Sequence, residues 1–84
     1  MDEQKQQKSI IIYTTPTCHF CHMAKDYFDS KGIKYQEIGV ATDMAAQQEM
    51  IKKSGQLGVP VIDIGGDIMT GFNIAKVNEL LGLN

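Results

Sequence analysis

The sequence has no arginine, and its positive charges are lysines scattered along a chain of formal net charge -2. Such a chain has no basic stripe of the kind that binds nucleic acid. It also has no apolar run approaching the roughly 18 residues of a membrane-spanning helix, and residues 1–8 are polar where a secretion signal would be apolar. We therefore expect a cytoplasmic protein with neither nucleic-acid nor membrane partners.

The composition predicts a single small domain. With 84 residues, 43% of them hydrophobic, the chain suits one compact core, because a second core would bury too little surface to be stable alone. Residues 1–8 lack apolar periodicity and are predicted to form a flexible N-terminal tail. The predicted domain therefore spans residues 9–84, and we expect it to be a monomer.

Cysteine is scarce: the two cysteines, Cys18 and Cys21, form a Cys-x-x-Cys pair. A disulfide between them closes a very short loop and therefore constrains the unfolded chain little. The pair is poorly suited to stabilising a fold and well suited to reversible chemistry. In a reducing compartment this spacing indicates redox chemistry or metal binding.

The pattern of apolar and capping residues predicts the element order βαβαββα. The predicted elements are a central strand over 10–13, a helix over 18–31, a strand over 33–40, a helix from Thr42 or Asp43 to 54, strands over 59–64 and 67–69, and a helix capped by Asn73. Gly65-Gly66 predicts a hairpin turn. The last helix is expected to bury one apolar face, formed by Ile74, Val77, Leu80 and Leu81. This order predicts a thioredoxin-like α/β fold with a four-stranded mixed sheet flanked by three helices.

The chemistry is predicted to reside at the start of the first helix. Unpaired backbone N–H groups and the helix dipole favour a thiolate there, so we expect a lowered pKa for Cys18 and assign it as the nucleophile. Cys21, one turn later and facing away from water, is assigned as the resolving thiol. His19 is interpreted either as a solvated loop residue or as a group that lowers the Cys18 pKa. His22 is predicted to be exposed, and Phe20 to cover apolar surface beside the thiols.

Other uses of the cysteines agree less well with the sequence. Residues 18–22 also match the Cys-x-x-Cys-His pattern of haem attachment, but the strand-rich remainder is unlike a small helical cytochrome. A closed zinc site needs four ligands, and the two histidines lie too close to both cysteines for easy tetrahedral geometry. An iron–sulfur cluster shared between two chains is the stronger alternative. We therefore predict no resident cofactor or metal, with a cluster- or metal-carrying module using Cys18 as the alternative function.

The sequence resembles the glutaredoxin-like family over residues 9–83. The matching motifs are Tyr13-Thr14-Thr15-Pro16-Thr17-Cys18-x-x-Cys21, Gly58-Val59-Pro60, Gly65-Gly66 and Gly71-Phe72. The resemblance implies a thioredoxin-type fold and a thiol-disulfide oxidoreductase with Cys18 as nucleophile and Cys21 as resolving thiol. It also implies a cis Val59-Pro60 bond and pairing of the Val59 backbone with an extended substrate. The candidate substrate-binding residues are Pro16, Phe20, Val59, Pro60, Gly71 and Phe72.

The resemblance leaves the electron donor open between glutathione and thioredoxin reductase. Glutathione-using members commonly carry a basic residue where this chain has Thr15, and an Asp pair where it has Asn73-Ile74. Residues 69–72, Met-Thr-Gly-Phe, are more similar to the NrdH-redoxins that serve ribonucleotide reductase and to the YruB-type small glutaredoxins. The expected substrate is a disulfide-containing protein, with glutathione mixed disulfides as the alternative.

Overall fold

The computed structural model describes residues 9–82, so the predicted tail over 1–8 and the last two residues of the predicted domain lie outside the described residues. Within this range the elements are β1 (Ile10–Thr14), α1 (His19–Ser30), β2 (Gln36–Gly39), α2 (Met44–Ser54), β3 (Val61–Ile64), β4 (Asp67–Thr70) and α3 (Ile74–Leu81). The predicted order and the thioredoxin-like α/β fold are confirmed. No helix in residues 9–82 is long and apolar enough to cross a membrane.

The four strands form one mixed sheet in the order β2-β1-β3-β4. β1 pairs in parallel with β2 and antiparallel with β3, which pairs antiparallel with β4. Parallel neighbours need a crossover connection, and α1 supplies it. β1 is therefore an interior strand, as predicted. Because Val61 at the start of β3 pairs with Tyr13 near the end of β1, the loops after β1 and before β3 meet at one edge of the sheet.

Two clusters of buried side chains hold the helices on opposite faces of the sheet. On one face, Ile12 packs with Phe28 of α1 and Val77 of α3. On the other face, Tyr13 packs with Met50 of α2. The two faces are covered because the β1 side chains alternate in direction along the strand. β1 thus lies at the centre of the fold, with α1 and α3 packed on one side of it and α2 on the other.

α2, α3 and the hairpin turn begin at the residues that the sequence predicts, whereas α1 spans His19–Ser30 rather than 18–31. The side chains of Asp43 and Asn73 accept the backbone N–H groups of Ala46 and Lys76, so each caps its helix. Gly65 and Gly66 have φ angles of 59° and 99°, as a tight hairpin turn requires.

The second strand is shorter than the predicted range over 33–40. Pairing with β1 begins only at Gln36. The backbone N–H of Ile33 instead donates to the Phe28 carbonyl at 2.9 Å, which completes the end of α1. Ile33 and Tyr35 pack against the core from the connecting loop rather than from a strand. The residues before Gln36 therefore belong to the helix end and the connection.

The predictions for Val59 and Ile74 also need correction. β3 begins at Val61 rather than at Val59, because Pro60 has no N–H group to donate to a strand ladder. Val77 is fully buried on α3, whereas Ile74 on its first turn is 45% exposed. The apolar face of α3 therefore reaches the core only from Val77 onward.

A polar cluster joins α2 to the sheet on the Tyr13 side. The Nζ atom of Lys53 lies 2.8 Å from Asp63 Oδ2, 3.5 Å from Glu49 Oε2 and 5.2 Å from the ring centroid of Tyr13. The Tyr13 hydroxyl donates to Glu49 at 2.8 Å. The hydrogen bond to Asp63 raises the pKa of Lys53 well above its usual range, and burial raises the pKa of Tyr13. One lysine thus links two strands to α2.

Replacing Lys53 with alanine is expected to lower the free energy of unfolding by about 1–2 kcal/mol, measured by urea denaturation. The cause is the loss of the charged partner of Asp63, whose side chain is only 14% exposed. Lys52→Ala is the matched control, because Lys52 is an exposed lysine in the same last turn of α2. Equal losses in the two variants would show that the cluster contributes nothing specific.

Candidate active site

The two cysteines lie at the edge of the sheet where β1 ends. Thr14 is the last residue of β1, and Cys18 is the N-cap of α1. The Cys18 Sγ atom accepts the backbone N–H of Cys21 at 3.1 Å, so the sulfur lies against the unpaired donors of the first helical turn. The predicted position of Cys18 at the helix start is confirmed.

The two sulfur atoms differ in their access to solvent. The Sγ atoms of Cys18 and Cys21 lie close to disulfide distance, with their Cα atoms 5.2 Å apart. Cys21 is 0% exposed, whereas Cys18 is partly exposed. An incoming sulfur atom therefore reaches Cys18 from outside, and Cys21 contacts Cys18 from inside the fold. The predicted burial of Cys21 is confirmed.

The loop between β1 and α1 is a tight turn. The Cys18 N–H donates to the Thr15 carbonyl at 3.3 Å, which places Pro16 and Thr17 at the two central positions. Proline suits the first of these positions because its φ is already fixed near the required value. The Nε2 atom of His22 lies 3.1 Å from the Pro16 carbonyl oxygen. Sequence reasoning predicted the exposure of His22 correctly but missed this contact.

The loop before β3 carries the second predicted part of the site. The Val59-Pro60 peptide bond is cis, as the resemblance implied. Pro60 is buried and Val59 is partly exposed. The Pro60 carbonyl accepts the Gly71 N–H at 2.8 Å, and Gly71 has a φ of 85°, which favours glycine. The structure therefore brings three predicted substrate-binding residues together at the edge where β3 begins.

The aromatic residues of the predicted site have different environments. Phe20 is 55% exposed, and its ring contacts the His19 ring edge-on at 5.4 Å between centroids. The prediction that Phe20 covers apolar surface is therefore wrong, because its ring faces solvent. His19 is the first residue of α1 rather than a loop residue. Phe72 is half-buried, with its ring centroid 5.9 Å from that of Tyr27.

The Glu37 carboxylate on β2 connects the elements on either side of the loop that contains Cys18. Glu37 Oε2 accepts hydrogen bonds from Lys25 Nζ at 2.8 Å and from Thr14 Oγ1 at 3.0 Å. The hydrogen bond from Lys25 lowers the pKa of Glu37. This contact joins α1 and the end of β1 to β2. Sequence reasoning missed it, because the parallel register that places Glu37 opposite Ile12 has no local signal in the sequence.

The described part of the chain offers little for a metal ion. Within residues 9–82, no group of three or more His, Cys, Asp or Glu side chains is placed to hold one. A cluster or metal carried on Cys18 would therefore need ligands from another molecule. That alternative stays a prediction.

Comparison with known proteins identifies the family. A family model described as glutaredoxin matches residues 10–69. The chain belongs to the glutaredoxin family. As a glutaredoxin with a cysteine pair close to disulfide distance, it is a thiol-disulfide oxidoreductase.

This glutaredoxin has relatives along most of its length. It is 47% identical over 72 residues to an uncharacterized glutaredoxin-like 8.6 kDa protein in the rubredoxin operon of Clostridium pasteurianum, covering 86% of this chain and 96% of that protein. It is 41% identical over 63 residues to glutaredoxin 3 of Escherichia coli, covering 75% of this chain and 76% of that protein. The crystal structure of a point variant of a thioredoxin-like protein has a TM-score of 0.84 at 28% identity, covering 93% of this chain and 100% of that one.

In the reduced protein, iodoacetamide is expected to alkylate Cys18 before Cys21 at a pH of about 6, where an ordinary thiol is largely protonated. Cys18 is partly exposed beside helix-start N–H groups, whereas Cys21 is fully buried. Timed quenching followed by peptide mass spectrometry measures the two rates. The urea-unfolded chain is the control, because both thiols should react alike there. Equal rates in the folded protein would contradict the assignment.

Proposed function

We propose that this glutaredoxin reduces disulfides of protein substrates through Cys18 and Cys21. The observation that carries the proposal is the asymmetry of the pair, with one sulfur partly exposed at a helix start and the other fully buried. A nucleophile must be reached by a substrate, and a resolving thiol must be shielded until the mixed disulfide forms. This arrangement supports the predicted roles of the two cysteines.

The proposed reaction has two exchange steps. The Cys18 thiolate attacks one sulfur of the substrate disulfide, forms a mixed disulfide and displaces the other substrate sulfur as a thiolate. The Cys21 thiol then loses its proton and attacks Cys18 Sγ, which releases the second substrate sulfur. The substrate gains two electrons from the pair and two protons, one released by Cys21 and one taken from solvent, and the Cys18–Cys21 pair is left as a disulfide. One chain suffices for the cycle, so we propose that it acts as a monomer. We also propose that it acts in the cytoplasm, where cysteines are kept reduced.

The loop before β3 is proposed to hold the substrate in an extended conformation. Val59 is partly exposed, and the Pro60 carbonyl beside it is held by the Gly71 N–H at 2.8 Å. A fixed, accessible backbone segment in the loop before a strand is suited to strand-like pairing with an extended peptide. The Val59 backbone would then orient the substrate sulfur toward Cys18.

Exposed apolar residues next to the site residues in the sequence favour a protein over glutathione as the substrate. In the sequence, Phe20 stands between the two cysteines, Leu57 precedes Val59 by two residues, and Ile74 follows Gly71 by three. These three side chains are 55%, 60% and 45% exposed. Glutathione carries two carboxylates and an ammonium group, which are held best by charged partners. Apolar side chains instead match the apolar residues of a protein segment. We therefore propose thioredoxin reductase as the electron donor.

Replacing Cys18 with serine is expected to abolish turnover, because it removes the sulfur that substrates reach. Cys21→Ser is expected to retain attack but to accumulate mixed disulfides, since nothing resolves them. Mass spectrometry of each variant after incubation with an oxidised protein substrate detects the trapped adduct. Turnover by Cys18→Ser would rule out Cys18 as the nucleophile. Trapping by Cys18→Ser instead of Cys21→Ser would show that the two cysteines have the opposite roles.

The electron donor is tested by following NADPH consumption with a protein disulfide as substrate. Thioredoxin reductase is expected to support turnover, and glutathione with glutathione reductase is expected to support little. Thr15→Lys combined with Ile74→Asp introduces a positive charge at Thr15 and one of the two carboxylates at Asn73-Ile74, and it is expected to raise the glutathione-dependent rate. Efficient turnover of the unmodified protein by glutathione alone would overturn the donor proposal.

A further inference from the structure

We propose that His22 is a positioning residue that fixes the turn leading into Cys18. Its ring Nε2 atom lies 3.1 Å from the Pro16 carbonyl oxygen. A carbonyl oxygen only accepts hydrogen bonds, so the Nε2 atom carries the proton and donates it. The functional meaning of this contact rests on the proposed role of Cys18 as nucleophile, whereas the contact itself does not.

The carbonyl that His22 holds belongs to the central peptide of the turn. Pro16 and Thr17 occupy the two middle positions, and the Cys18 N–H closes the turn onto the Thr15 carbonyl. The flipped form of this peptide would need a positive φ at Thr17, which a β-branched residue disfavours, and Thr17 has no positive φ here. Thr17 therefore selects the orientation of the peptide, but the closing bond does not anchor the turn to the side chains of α1. The bond from His22 provides that anchor, because it joins the Pro16 carbonyl to a side chain of the helix.

Other interactions hold this turn only weakly. Pro16 and Thr17 are both exposed, so core packing does not fix them. The closing bond from the Cys18 N–H to the Thr15 carbonyl measures 3.3 Å, longer than the usual range of about 2.7–3.2 Å. The 3.1 Å bond from His22 is within that range. The side chain thus contributes the better hydrogen bond of the two.

His22 is also joined to the backbone of the nucleophile. Its own N–H donates to the Cys18 carbonyl at 3.3 Å, in the first turn of α1. His22 therefore contacts both Cys18 and the peptide between Pro16 and Thr17. With this bond in place, Cys18 Sγ stays beside the Cys21 N–H, where a thiolate is stabilised. Without the bond the exposed turn loses its side-chain anchor to α1, and Cys18 spends less time in that position.

The loss of this bond should affect reactivity rather than folding. His22 is exposed, so its removal leaves no buried polar group unsatisfied and opens no cavity in either core cluster. The Pro16 carbonyl can bind water instead. A change in Cys18 reactivity at constant thermal stability is therefore the signature of a positioning role.

The test compares His22→Phe, which keeps a ring without a donor, with His22→Gln, whose uncharged amide supplies an N–H group near the position of Nε2. The rate of Cys18 alkylation by iodoacetamide is measured on the reduced proteins, with thermal unfolding as the stability control. His22→Phe is expected to lower the rate about 3- to 10-fold at unchanged melting temperature, and His22→Gln to stay within about twofold of the original protein. His22→Ala provides the same comparison if the phenylalanine variant misfolds.

Met23→Gln is the matched control, because Met23 is the next residue of α1 and is 40% exposed. It is expected to react at the original rate. Unchanged reactivity in His22→Phe would overturn the proposal. Equal losses in His22→Phe and His22→Gln would also overturn it, because they would assign the effect to the imidazole charge rather than to the hydrogen bond. Alkylation needs neither substrate nor reductase, so a failure of the protein-disulfide function would leave this result standing.

Discussion

The antiparallel pairing of β3 with β1 is the constraint on which the site depends. It sets Val61 opposite Tyr13, and so brings the loop that contains Cys18 and the loop that contains Pro60 to the same edge of the sheet. The helices are arranged around this pairing. α1 and α3 cover one face and α2 the other, so the edge itself stays accessible to a partner.

The parts of the fold that could be predicted are those with local signals. Side chains such as Asp43 and Asn73 cap their helices within three residues, and Gly65-Gly66 turns the hairpin by its own backbone freedom. The start of the second strand could not be predicted in this way. Ile33 has the composition of a strand residue, but its N–H completes the end of α1, and that competition is decided by three-dimensional packing.

The same division applies to the site. The spacing of Cys18 and Cys21 at a helix start is visible in the sequence, and the structure places them as predicted. The contact of His22 with Pro16 depends on a side chain reaching back over a turn, which no periodicity reports. The same histidine completes the haem-attachment pattern of residues 18–22, so that motif marks this residue for a different chemistry. The Glu37 contacts could not be predicted either, because they depend on the register of the parallel strands.

The burial of Cys21 directly behind Cys18 has a consequence for oxidative damage. A peroxide that reaches the partly exposed Cys18 oxidises its sulfur to a sulfenic acid, which further peroxide would oxidise irreversibly. With a second thiol three residues away and its Cα atom 5.2 Å from that of Cys18, the sulfenic acid condenses with it to a disulfide and expels water. The reaction ends in a form that a reductase restores. The buried sulfur thus protects the exposed one from permanent loss.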